Sequence, residues 1–81
     1  MTNKSSEKYL VNYPTEELEN MMQSLYKFLE TELNDISYYG WIKTNCAIVK
    51  IEQVLKGSKD TIYHELTDSE NKIVTYALEN Y

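Results

Sequence analysis

Arginine is absent from this 81-residue sequence, cysteine, proline and histidine occur once each, and glycine occurs twice. Arginine is the side chain that pairs bidentately with guanine edges and phosphates, so its absence removes the usual means of sequence-specific DNA reading. Eight lysines stand against thirteen acidic residues, a net charge of −5. A basic nucleic-acid footprint is therefore missing too, and no direct nucleic-acid binding is expected. The single Cys46 cannot close an internal disulfide, which leaves burial or association with another chain to hold the fold. No apolar run approaches the roughly 20 residues of a membrane-spanning helix, and no secretory leader pattern opens the chain. A cytoplasmic protein with no membrane segment is the expectation.

What the chain does have is an ordinary globular balance, 42% hydrophobic and 26% charged, which excludes collagen-like and fully disordered classes. Its length allows one small domain. Lysine, asparagine, isoleucine and tyrosine are abundant while arginine is missing, a bias that suits an AT-rich coding source such as a low-GC bacterium, its phage or a mobile element.

Residues 1–13 read as a polar N-terminal arm, frayed over its first eight residues. Its one apolar piece, Tyr9 to Tyr13, suits either a docking arm or a helical turn. Residues 14–81 read as a single helical domain. Pro14 opens it, with Thr15, Glu16 and Glu17 at the positive end of a helix dipole. Leu18, Met21, Met22, Leu25, Phe28, Leu29, Leu33 and Ile36 recur at spacings of three and four, which fills one helical face. Glu16, Glu19, Asn20, Gln23, Lys27 and Glu30 occupy the opposite face, where Lys27 is placed to meet Glu30. Glu32 falls within the apolar arc, near the helix end.

Asn34, Asp35 and Ser37 provide stop and start signals before a second helix from Tyr38 to Lys56, whose first turn is weakened by Gly40. This helix has two apolar faces. The broad one holds Trp41, Ala47, Ile48, Ile51, Val54 and Leu55; the narrow one holds Tyr38, Ile42, Cys46 and Val49. Lys43 and Lys50 divide them on one side, Asn45 and Glu52 on the other, as suits an element wedged between neighbours. Gly57 ends the helix, and Ser58 with Asp60 begins a third. Ile62, Tyr63 and Leu66 give that third helix a short apolar face. Thr67 and Glu70 then match a capping box, so a break is expected near Thr67, before Ile73, Val74, Ala77, Leu78 and Tyr81 resume the helical spacing. A continuous helix would set Glu70 among apolar residues, which the break avoids. The fold expected is all-α, a small three-helix bundle with a broken third helix, open to homodimerisation because so short a chain has a limited core.

Catalytic and metal chemistry find little footing here. Cys46 sits among Tyr38, Ile42 and Val49, the setting of a small buried hydrophobe, and His64 lies in a polar stretch without an orienting third group. The carboxylates lack the spacing and glycine of a calcium loop. No enzymatic role, metal or cofactor is expected. The aromatics are more suggestive, since eight of the ten are tyrosines, and tyrosine offers large area with few rotatable bonds and a polar tip that suit an interface, while in so short a chain the same rings equally suit the filling of a core.

These observations point to a small acidic helical protein that binds a protein partner and regulates or inhibits it. Glu16, Glu19, Gln23, Glu30 and Glu32 form the acidic approach face; Tyr38, Tyr39, Trp41 and Ile42 form the aromatic anchor or a dimer contact. Residues 16–35 carry six acidic residues against Lys27, so carboxylates along a helix mimicking nucleic acid toward a basic nucleic-acid-binding protein is the narrower form of this expectation. A homodimeric structural or assembly protein is the alternative.

Overall fold

The computed structural model describes residues 8–81; of the frayed terminus expected over residues 1–8, residues 1–7 lie outside them, and Lys8 is held instead, its carbonyl accepting from the Leu66 amide and its ammonium bonded to Asp68. In chain order there follow a 3-10 turn at Leu10–Asn12, helix α1 (Thr15–Glu32), helix α2 (Tyr38–Leu55), a second 3-10 turn at Thr61–Tyr63 and helix α3 (Asp68–Asn80). Each pair of the three helices is in contact, and no strand is present among the described residues. The architecture is an all-α bundle of three helices.

Local chemistry explains where each helix begins and ends. Pro14 stands just before α1 in extended conformation, and Glu16 and Glu17 occupy the first turn, where the exposed amides favour negative charge. At the other end the Glu32 carbonyl accepts from both Asp35 and Ile36 amides, at 2.9 and 2.8 Å, which closes the helix and turns the chain. The Ser37 hydroxyl then accepts from the Gly40 amide at 3.0 Å and caps α2. A Cβ on Gly40 would meet Ile36 and Ser37 at 3.2 Å, so the glycine that weakens this turn also lets the cap and Ile36 close on it. Gly57, at φ +82°, ends α2: its amide bonds the Val54 carbonyl and the Ser58 amide bonds that of Gln53, the paired reach-back of a Schellman ending. Thr67 and Glu70 make both halves of a capping box at the start of α3.

Between Gly57 and Thr67 the structure departs from the expected helix. Asp60, not Ser58, supplies the cap, accepting from the Ile62 amide at 3.2 Å, and the result is a single 3-10 turn. Ile62 projects into solvent at 64% exposure while Leu66 is buried, because the chain leaves the turn extended and pairs with the N-terminal segment. The Leu10 amide donates to the His64 carbonyl at 2.7 Å and the Leu66 amide to the Lys8 carbonyl at 2.9 Å, around an antiparallel bridge of Tyr9 with Glu65. The segment read as a docking arm or a turn is both. Its Leu10 is fully buried with Leu18, Met21 and Leu25 of α1, Ala47, Ile48 and Ile51 of α2, Leu66, and Val74 and Ala77 of α3.

Two polar side chains share this core. Thr44 satisfies itself by donating to the Gly40 carbonyl at 2.7 Å. Glu70, 3% exposed, accepts from the Thr67 amide at 2.8 Å and from Lys50 Nζ at 2.7 Å, and Lys50 also donates to the Glu65 carbonyl at 3.0 Å. Glu70 thus lies in the apolar interior that a break was expected to spare it, and Lys50, read as a divider between the two apolar faces of α2, neutralises it there. Burial of a carboxylate demands such pairing.

Candidate functional site

Glu16, Glu19, Gln23 and Glu30 all stand exposed on α1, spaced as one stripe that runs about 21 Å from Glu16 to Glu30 at the helical rise. Lys27 is exposed beside them but makes no ion pair with Glu30; among the described residues the ion pairs are those of Lys8 with Glu65 and Asp68, Lys50 with Glu70 and Lys56 with Glu52. Among the described residues no lysine pairs with the stripe, so three carboxylates stand there against the single charge of Lys27.

Glu32 stands apart from these four. It is half-buried and turned toward α3, where its Oε2 accepts the phenol hydrogen bond of Tyr81. That bond, with partial burial and the carboxylate charge, pushes the Tyr81 phenol up to about 12. Around this contact Phe28 meets Tyr76 and Tyr81 edge to face, with ring centroids 5.8 and 5.9 Å apart, and Tyr76 lies tilted to Tyr81 at 6.4 Å. A cleft of about 340 Å³ opens beside them between α1 and α3, lined by Phe28, Glu32, Ile36, Lys72, Ile73 and Tyr76. Sequence reasoning missed this cluster. Its signal was the placement of Glu32 in the apolar arc of α1, which becomes intelligible once Tyr81 arrives from the last turn of the bundle.

At the start of α2, Tyr38, Tyr39 and Trp41 are 76%, 62% and 42% exposed. Trp41, expected on the broad buried face, instead stacks on Tyr38 at the surface with centroids 6.3 Å apart and planes within 18°. The Tyr39 hydroxyl lies 3.4 Å from the Ser69 hydroxyl, and Lys43 Nζ lies 5.4 Å from the Tyr39 ring centroid. Ile42 is half-buried behind them. The narrow face continues through half-buried Cys46 to exposed Val49, so α2 buries Ala47, Ile48 and Ile51 and leaves its second apolar face at the surface. Leu33, read on the apolar face of α1, caps that helix and is exposed instead.

His64, read in a polar stretch, is half-buried, with Nε2 2.9 Å from the Ser58 carbonyl, so its ring braces the second 3-10 turn. Among the described residues no group of three or more His, Cys, Asp or Glu side chains is arranged to hold a metal ion, and no helix is long and apolar enough to cross a membrane. The Lys8 ammonium hydrogen-bonds Asp68 at 2.8 Å, which raises the lysine and lowers the aspartate from their ordinary pKa values. This pair ties the N-terminal segment to the cap of α3. Comparison with known proteins finds no matching family, no similar curated protein and no matching solved structure.

Proposed function

We propose that this protein is a small acidic binding protein that engages a protein partner and regulates or inhibits it. The carrying observation is the triplet Tyr38, Tyr39 and Trp41, three large aromatics exposed within four residues on the first turn of α2. Rings of this size left in solvent on a rigid helix are the side chains that anchor interfaces, since they bring large area at small entropic cost. The stripe of Glu16, Glu19, Gln23 and Glu30 supports approach to a basic surface. A photo-crosslinker at Tyr39 tests the reading in lysate of the native host: a stoichiometric adduct is expected, lost in the Tyr38→Ser/Tyr39→Ser/Trp41→Ser variant. A triple variant that captures the same protein equally well removes the anchor, and the absence of any stoichiometric adduct removes the function. In the narrower form, nucleic-acid mimicry, the complex weakens steeply with salt and competes with DNA.

A second reading rests on the surface face Tyr38, Ile42, Cys46 and Val49, which suits an isologous helix pair in a homodimer with a structural role. Sedimentation at micromolar concentration separates the two, because a strict monomer leaves that face to a foreign partner.

A further inference from the structure

We infer that the cleft between α1 and α3 receives an arginine side chain of the partner, with its guanidinium on Glu32, its plane against the exposed Tyr76 ring and its edge toward Phe28, whose ring stands at 75° to that of Tyr76. This deepens the binding function proposed above and depends on it for the identity of the arginine's owner.

Four of the six lining residues, Phe28, Ile36, Ile73 and Tyr76, are apolar or aromatic, and the volume of about 340 Å³ is in the range of ligand-binding clefts. The carboxylate at its wall is set, not free to swing, because Tyr81 holds Oε2 from the other side. Each carboxylate oxygen carries two acceptor positions, so one phenol leaves Glu32 with most of its capacity unused, and among the described residues no cation forms an ion pair with it. A half-buried carboxylate among ring faces is complementary to a planar cation: guanidinium donates in a fixed fork, stacks on aromatics and loses hydration more readily than ammonium. The chain itself has no arginine to fill the place.

Lys72 lines the same cleft from the exposed side of α3, without an ion pair among the described residues. Its stem adds apolar wall and its head reaches water. The charge gives the site an internal control. A cationic guest is opposed by Lys72 and an anionic one is helped by it, so Lys72→Met reports the sign of the occupant.

The experiment titrates the intact protein with N-acetyl-arginine amide and follows the Phe28 and Tyr76 ring resonances by NMR. Saturable shifts of both rings are expected, with a dissociation constant on the order of millimolar for so small a probe. N-acetyl-citrulline amide, the neutral isostere, should shift them at least about tenfold more weakly. Glu32→Gln, which keeps an acceptor for Tyr81, should lose at least about tenfold in affinity, and Lys72→Met should gain about two- to fivefold. Unmoved Phe28 and Tyr76 rings, equal binding of citrulline, unchanged affinity in Glu32→Gln, or weaker binding in Lys72→Met would each overturn the assignment. Ring shifts with no captured partner would sink only the partner-binding function. Capture without ring shifts would sink only the cleft.

Discussion

Lys50→Met should unsettle this protein more than any other single change on α2. Lys50 Nζ lies 2.7 Å from Glu70 Oε1 and 3.0 Å from the Glu65 carbonyl, and the Glu70 side chain is only 4% exposed. Methionine fills the same space but leaves the carboxylate with the Thr67 amide as its remaining donor. Stranding a buried charge in this way costs about 3–5 kcal/mol. Whole domains are stable by roughly 0.05–0.15 kcal/mol per residue, or about 4–12 kcal/mol for a chain of this length. The variant therefore forfeits a quarter of its stability at the least and all of it at the most. Its Tm should fall by about 12–40 °C, at about 4–8 °C per kcal/mol for a domain this small. Urea denaturation gives the free energy if the slope is unchanged. The second arm of the cycle is Lys50→Met/Glu70→Gln, in which a neutral amide still accepts from Thr67; it should return to within about 1–2 kcal/mol of the parent. A single variant within about 1 kcal/mol of the parent, or a double variant no better than the single, would refute the view that this pair anchors α3 to α2.

Further predictions concern the turn, the clasp and the phenol. Gly57→Ala should cost about 1–2 kcal/mol by urea denaturation although no atom lies within 4 Å of the added Cβ, since the penalty is purely that of φ +82°; Gly57→Asn should cost less. Asp68 is depressed from 3.8 and Lys8 raised from 10.5 by their mutual hydrogen bond, so the clasp is at full strength between these values, weakening as pH falls below the first or rises beyond the second. Exchange of the Leu10 and Leu66 amides, corrected for intrinsic rates, should quicken below pH 3.8, and Asp68→Asn should bring the faster exchange at neutral pH. Tyr81 is raised to about 12, so its bond to Glu32 contributes fully below the ordinary 10.0 and is lost as pH climbs toward 12. The difference in phenolate absorbance between the parent and Tyr81→Phe should show that late titration, and Glu32→Gln should move it back toward 10.

Helix α1 was legible because its information is local: Leu18, Met21 and Leu25 recur at the helical period and are the residues it buries. The ends of α2 and α3 were legible for the same reason, since Ser37, Gly57 and Thr67 act within three residues of themselves. What failed required partners from a distance. Nothing near Glu70 announces that Lys50, twenty residues earlier, will neutralise it, so its burial read as a cost to be avoided. Leu66 is buried, and Ile62 exposed, because residues 8–10 pair with residues 64–66, a contact invisible to any helical wheel. Thr44 was the exception: it lies three residues from Trp41 and from Ala47, on the broad face, and only its hydroxyl kept it from being read as core. The candidate surface divided likewise. Exposed carboxylates on α1 follow from periodicity, whereas the cleft at Glu32 needed Lys72, Ile73 and Tyr76 of α3 to form its other wall.

In the proposed complex the acidic stripe and the aromatic turn should divide the kinetics between them. At physiological salt the Debye length is about 8 Å, shorter than the stripe, so its three charged positions, Glu16, Glu19 and Glu30, act on a partner only at close range and are largely screened beyond it. Their carboxylates are exposed, which limits each to a small share of final affinity but leaves them able to speed encounter. Tyr38, Tyr39 and Trp41 contribute little before contact and much after it, because the area they offer leaves water only in the docked state. Glu16→Gln/Glu19→Gln/Glu30→Gln should therefore slow association, with a shallower salt dependence, while dissociation stays nearly constant. Trp41→Ser should do the reverse and shorten residence by tenfold or more, at about 1.4 kcal/mol for each factor of ten. Stopped-flow measurement on the captured partner separates the two rates. If the glutamine variant changed dissociation and the serine variant changed association, the carboxylates would be buried contacts and the rings bystanders, and the roles assigned to the two surfaces would have to be exchanged.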